Sequence, residues 1–347
     1  MAGRKKTISK TAETLAKALT FVSAGIEEGK ETYKAHCRIV NGYIVTFNGT
    51  MCVGHPIEEN ELASVCPHIP TLISAINKSG KKLSMAVNDK GNLQVTGENI
   101  RAIVPCVSAD QMPPVMPDMK IAELSDAIKD GFKVLLPLVA EDADRIHEMS
   151  ILLRANSMVA VNGQVMFEYW HGIDLPPGLS IFKNAAKTIA TTPEKLEGFG
   201  WNGRSTVTFW FEGGAFIQTA LGEGHWPDVD GVFAKTVGEP ADLPPGFFDG
   251  IEAVASFSAD GGVVFDADKV RSGYANYGPD GPVYGATYDV PGLVGKHVFS
   301  VKHLKLAKPV CAKIDYWSDD ERALFFGPVA NGETMPKIRG VIMKRKS

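Results

Sequence analysis

The sequence predicts an α+β protein of three repeated units, each with two helices packed on antiparallel sheet. Three observations predict it: landmarks that recur at a near-constant interval, amphipathic helices at matching places, and short apolar runs parted by tight turns. Strand-like runs end at Asn48-Gly49 and at Asn162-Gly163, and apolar helices follow around Pro67–Ile76 and Ser180–Ala190. Turns come at Asn88–Gly91 and Asn202-Gly203, and Pro117-Asp118 and Pro227-Asp228 close the two copies. Corresponding landmarks lie 114, 113 and 110 residues apart. Solenoid repeats run to roughly 20–50 residues, so this period points to domain triplication. A looser third copy has a helix near Phe299–Lys308, a polar turn at Ser318-Asp-Asp-Glu321 and a last strand ending at Met343. The implied domains are 1–121, 122–236 and 237–347.

The elements follow in chain order. Leu15, Leu19, Val22 and Ile26 keep helical spacing, with Lys10 and Lys17 two turns apart on the opposite face. Strands are expected at Tyr43–Phe47, Leu83–Val87 and Leu93–Thr96, short runs separated by tight turns. Between them Ile69, Leu72, Ile73 and Ile76 form an apolar helical stripe, and Thr71, Ser74 and Lys78 lie opposite. The matching helix in the second unit buries Phe182, Ala185, Ala186 and Ile189 and leaves Lys183 and Lys187 outside the stripe. Ser205–Phe211 and Ala215–Thr219, separated by Glu212-Gly-Gly214, read as a hairpin. In the third unit Lys302 and Lys305 fall on a short helix that Pro309 should end.

Composition narrows the function classes. No apolar run approaches the ~20 residues that span a bilayer, and no signal-peptide core follows the basic start, so a cytoplasmic protein without membrane contact is expected. Five cysteines, scattered and without Cys-x-x-Cys spacing, read as reduced core thiols and exclude a zinc site. A net charge of −4 argues against holding nucleic acid by bulk electrostatics alone. The clusters Arg4-Lys5-Lys6, Lys81-Lys82 and Lys344-Arg345-Lys346, and the acidic runs Glu141–Asp144 and Asp319–Glu321, read singly as solvated faces or tails.

Catalytic signatures are absent: no phosphate loop, nucleophile elbow, His-Glu-x-x-His or dinucleotide fingerprint occurs. Asp260, Asp266 and Asp268 beside Gly261-Gly262 read as turn residues before metal ligands. Trp170-His171 and His225-Trp226 read as core aromatics before stacking platforms. Neither an enzyme nor a cofactor is expected.

Three stretches carry a resemblance. His225-Trp-Pro-Asp228, Phe299-Ser-Val-Lys-His-Leu304 and Ile338-Arg-Gly-Val-Ile-Met343 are similar to the aromatic-Pro-Asp segment, the third-domain helix start and the closing strand of the bacterial replicative DNA polymerase sliding clamp, the beta subunit family. Order and spacing extend the likeness over nearly the whole chain. The resemblance implies a homodimeric ring of six domains around duplex DNA, with helices lining the hole and Lys10, Lys17, Lys78, Lys183, Lys187, Lys302 and Lys305 facing phosphates. Such contacts hold a duplex without reading its sequence, and closure does the retaining. It also implies a pocket for short peptides of DNA polymerase and clamp loader, carried by Gly163, Val165, Met166, Pro227, Val232, Val341 and Met343. The chain departs from the family where Asp-Gly-His-Arg-Leu becomes Asn162-Gly-Gln-Val-Met166 and where it ends Lys-Arg-Lys-Ser, which suits a bacteriophage-type member. The alternatives are a virion-type structural protein and, more weakly, a carbohydrate-active enzyme.

Overall fold

The computed structural model describes the chain except residues 1–9, 28–31, 41, 58–64, 81, 114–115, 235–238, 274–276, 279–280, 283–284, 296, 316–320, 330–334 and 346–347. The expected basic cluster Arg4–Lys6, Lys81, Lys346 and most of the turn at Ser318–Glu321 lie outside the described residues. Seven α-helices occur among those described: α1 Lys10–Val22, α2 Ile69–Lys78, α3 Ala127–Leu135, α4 Lys183–Thr191, α5 Val229–Phe233, α6 Phe247–Ala255 and α7 Val301–Ala307. None is long and apolar enough to cross a membrane.

The chain divides into two compact units, Met1–Lys129 with Asn184–Leu221, and Asp130–Lys183 with Gly222–Ser347. In the first unit an antiparallel sheet runs in the order Cys37–Val40, Tyr43–Phe47, Met51–Pro56, Phe216–Gly222, Thr206–Phe211, Leu196–Trp201, Lys120–Glu123. A separate three-stranded sheet comprises Leu83–Val87, Leu93–Gly97 and Arg101–Val104. α1 packs on α2 and on Met51–Pro56, burying Leu15, Leu19 and Val22 as its spacing predicts. α2 begins with a proline in its first turn, where the missing N–H costs nothing, and buries Ile69, Leu72 and Ile76.

In the second unit the sheet order is Leu179–Phe182, Ser150–Leu153, Ser157–Val161, Val165–Trp170, Ile338–Met343, Arg322–Phe326, Lys313–Asp315, Ala241–Asp242, again antiparallel. A second sheet, Thr287–Asp289, Lys269–Ser272, Gly262–Asp266, His297–Ser300, carries α6, which also packs on α7.

The turn landmarks have a common construction. Asn48 and Asn162 each turn a side-chain oxygen back onto the amides two and three residues ahead, at 3.1 and 2.9 Å in one and 3.4 and 3.0 Å in the other. The following Gly49 and Gly163 sit at φ +103° and +82°, the left-handed region that favours glycine. Asn202 makes the same bond to Arg204, and Gly203 has φ +78°. Three of these sites are thus Asn-Gly turns for one physical reason.

Two helix starts differ from expectation. Leu179–Phe182 and His297–Ser300 are strands, and α4 and α7 begin only at Lys183 and Val301. Each run pairs with a distant strand, Ser150–Leu153 and Gly262–Phe265, and that pairing outweighs local helical spacing. Pro309 does follow the end of α7. All five cysteines are free, four of them buried, and burial pushes the Cys66 and Cys311 thiols up to about 11 and about 12. Asp260 is held by Arg345, Asp266 by Arg271, and Asp268 accepts from the Gly292 amide. No metal-binding group of acidic, His and Cys side chains occurs among the described residues.

Two histidines of the second unit, His171 buried and His303 half-buried, make stability pH-dependent. Burial lowers the pKa of His171; for His303 burial is joined by the charges of Lys302 and Arg345. Below about pH 6.5 the unfolded chain takes up protons that the folded chain refuses, so this stability is present above that pH and lost as pH falls. The melting temperature is expected to drop between about pH 7.5 and 5, and His171→Gln to flatten that slope in a pH series of thermal melts.

Candidate nucleic-acid and peptide surfaces

The sequence-predicted cations separate into three situations. Lys17, Lys78, Lys187, Lys302 and Lys305 are all exposed on helices whose other faces are buried. α7 is amphipathic: Val301, Leu304 and Ala307 are buried while Lys302 and Lys305 are exposed. Within the first unit, Lys17 of α1 and Lys187 of α4 line one cavity of about 810 Å³, with Thr20, Asn184, Thr188 and Glu194. Lys10 opens α1, and its side chain lies outside the described residues.

Lys183 departs from the outward-facing cation expected of it. Its side chain is only 19% exposed, donates to the Val139 carbonyl at 2.6 Å and pairs with Glu141 at 2.7 Å. The acidic run therefore lies in a loop after α3, and Glu141 neutralises Lys183 there. Lys183 is thus turned toward this loop, unlike the exposed lysines of the other helices.

The predicted pocket residues assemble in part. On one sheet face of the second unit, strand register aligns Leu152, Val159 and Glu168, then Arg339, and beside them Val161, Met166, Val341 and Leu324. α5 lies on this face, inserting Val229 and Phe233 into an apolar cluster with Leu152, Met166 and Val341. Val232, Met343, Trp226 and Phe326 pack against the cluster and stay partly accessible. Met166, Val232, Val341 and Met343 are thus brought together. Val165 is not with them: side chains alternate along a strand, so it is buried on the opposite face, paired with Ile342. Gly163 stays in its exposed turn, and Pro227, half-buried, leads into Asp228, which caps α5 by accepting from the Gly231 amide at 3.0 Å.

Sequence reasoning missed the charged half of this face. Glu168 is 1% exposed and fully bonded: Arg154 and Ser157 donate to one oxygen, each at 2.7 Å, and Arg339 donates to the other from two nitrogens at 2.9 and 2.7 Å. The Arg339 guanidinium also lies 4.0 Å from the Phe233 ring centre and 4.8 Å from that of Trp170. The available signal was the lone charges in apolar strands, Glu168 in Val165–Trp170 and Arg339 in Ile338–Met343. Trp226 donates to Ser180 at 2.8 Å, a packing role for one of the expected aromatics.

No family model matches the sequence, and no curated protein matches it. Among solved structures the chain is similar to the Helicobacter pylori beta clamp bound to a DNA ligase peptide, at 13% identity, TM-score 0.73, covering 97% of this chain and 99% of that one. It is similar to the Pseudomonas aeruginosa DNA polymerase III subunit beta at 14% identity and TM-score 0.76, over 97% and 98%. A putative DNA polymerase III beta subunit from Eubacterium rectale matches at 10% identity and TM-score 0.73, over 96% and 97%. The chain therefore has the α+β fold of bacterial beta clamps over nearly its full length.

Proposed function

We propose that this chain is a DNA sliding clamp, a non-enzymatic processivity factor of three domains, 1–121, 122–236 and 237–347, that closes around duplex DNA as a head-to-tail homodimer in the cytoplasm. The observation that carries this reading is the agreement with beta clamps over 97% of the chain. Exposed Lys17, Lys78, Lys187, Lys302 and Lys305 support it, since cations on helices suit loose, sequence-independent contact with phosphates. Closure then retains a duplex that a mildly acidic protein would not hold by charge. Ile103, 60% exposed on the edge strand Arg101–Val104, offers one of the surfaces a ring contact needs.

The Helicobacter clamp is bound to a DNA ligase peptide, and here the face around Met166, Val232, Val341 and Met343 takes short peptides of a DNA polymerase and a clamp loader. Gln164, in the exposed turn where the family has His, favours a clamp serving its own polymerase, as in a bacteriophage. In pull-downs a cognate polymerase peptide should then outcompete a bacterial host's; equal capture counts against the phage assignment.

Negative-stain electron microscopy at micromolar concentration tests the ring directly. Six-lobed rings with a central hole are expected, whereas solid particles or open filaments would favour a virion-type structural protein. The DNA contact has its own test. Lys17→Ala with Lys187→Ala should lower the slope of log affinity against log salt by about 2, one unit for each phosphate no longer neutralised. An unchanged slope would remove both lysines from the interface.

A further inference from the structure

The peptide-binding face places a partly buried arginine beside apolar side chains, and its two carboxylate partners are very unequal. One nitrogen of Arg154 is bound to Glu168, which is enclosed and satisfied by three other donors. The other nitrogen meets both oxygens of Asp230 at 2.8 Å. The Arg154 side chain is 27% exposed and that of Asp230 is 74% exposed. An ion pair with one partner so largely in water is weakly held and readily exchanged. The Glu168 contact is permanent by comparison.

The segment that supplies Asp230 indicates what could replace it. α5 reads Val229-Asp-Gly-Val-Phe233, and it already presents Val229 and Phe233 to the apolar cluster and its acid to Arg154. The face therefore accepts one pattern from within its own chain, an aspartate flanked by apolar anchors.

We propose that Arg154 is a specificity-determining residue that reads an aspartate side chain in a docked partner peptide, with Asp230 as the internal carboxylate that the peptide displaces. The inference rests on the reading of this face as a peptide surface. A guanidinium donates from a planar fork and matches a carboxylate in a way that a neutral amide does not. Asp230, once displaced, returns to water, where most of its side chain already is.

The test uses the full chain and two fluorescein-labelled, C-terminally amidated peptides, Leu-Asp-Ala-Leu-Phe and its Asn counterpart, read by fluorescence anisotropy. The aspartate peptide is expected to bind about tenfold tighter. Asp230→Ala should strengthen aspartate-peptide binding by roughly a further three- to tenfold and leave the Asn peptide unchanged, because only the charged ligand competes with Asp230. This variant changes an exposed side chain and leaves Glu168 paired, so it tests the idea without disturbing the buried network. Equal binding of both peptides to wild type, with no gain in Asp230→Ala, would overturn the role of Arg154 and leave the peptide surface standing. Binding of neither peptide to either protein would overturn both.

Discussion

Arg339→Ala should destabilise the protein by about 3–5 kcal/mol, measured as a fall in the urea midpoint by circular dichroism. Arg339 supplies two of the four hydrogen bonds to Glu168, whose carboxylate is 1% exposed. Removing it strands half of a buried charge, and the penalty for an uncompensated buried ion exceeds the other losses. The stacking on Phe233 and Trp170 adds only about 0.5–1 kcal/mol at such a site. A double variant separates the two effects. Arg339→Ala with Glu168→Leu removes the stranded charge along with its partner, and part of the lost stability should return, since an apolar replacement of a buried ion pair is often neutral. A loss below about 1 kcal/mol in the single variant would mean that water already reaches Glu168, and the network would then have no part in holding α5 on the sheet.

That network marks the limit of what sequence alone makes legible. The amphipathic helices and hairpin strands are readable because their signal is local: Leu15, Leu19 and Val22 repeat at helical spacing and are buried, and Thr206–Phe211 pairs with Phe216–Gly222 across the Glu212–Gly214 turn. The Asn-Gly turns are readable for the same reason. Ser180–Phe182 reads falsely as the start of a helix because so short a run carries no period of its own, and its strand state is decided by Ser150–Leu153, about thirty residues earlier. The charged site is harder still. Glu168 and Arg339 are 171 residues apart, and nothing in either strand names its partner. Lys183 fails differently: spacing gives its helical face, but Glu141 reaches it from a loop whose path no local pattern records. Four of the seven residues predicted for a pocket nonetheless lie together, because the resemblance supplies long-range pairing that periodicity cannot.

The joint between distant strands predicts a second large effect. Gly340 lies directly opposite Phe167, and a Cβ built on Gly340 would run into the Phe167 ring. The same arrangement recurs in the first unit, where Gly54 lies opposite Phe216 and its missing side chain makes room for that ring. In both places an aromatic ring covers a glycine across an antiparallel pair, a packing in which the ring replaces the side chain the glycine lacks. Phe167 is fully buried, so the ring has no solvent to move into. Gly340→Ala should therefore cost about 1–3 kcal/mol from overpacking alone, and Gly340→Val more, since a β-branched side chain has fewer rotamers with which to escape. The strand holding Gly340 also carries Arg339 and Val341, one on each side of it, and both lie on the face that carries α5. A strand pushed away from Val165–Trp170 would lengthen the bonds to Glu168 as well, so the stability loss takes in part of that network. Combining Gly340→Ala with Phe167→Leu should recover part of the stability in a double-mutant cycle, because the smaller side chain vacates the space the new methyl needs. Strictly additive losses in that cycle would place the clash elsewhere and sever the link between this joint and the surface beside it.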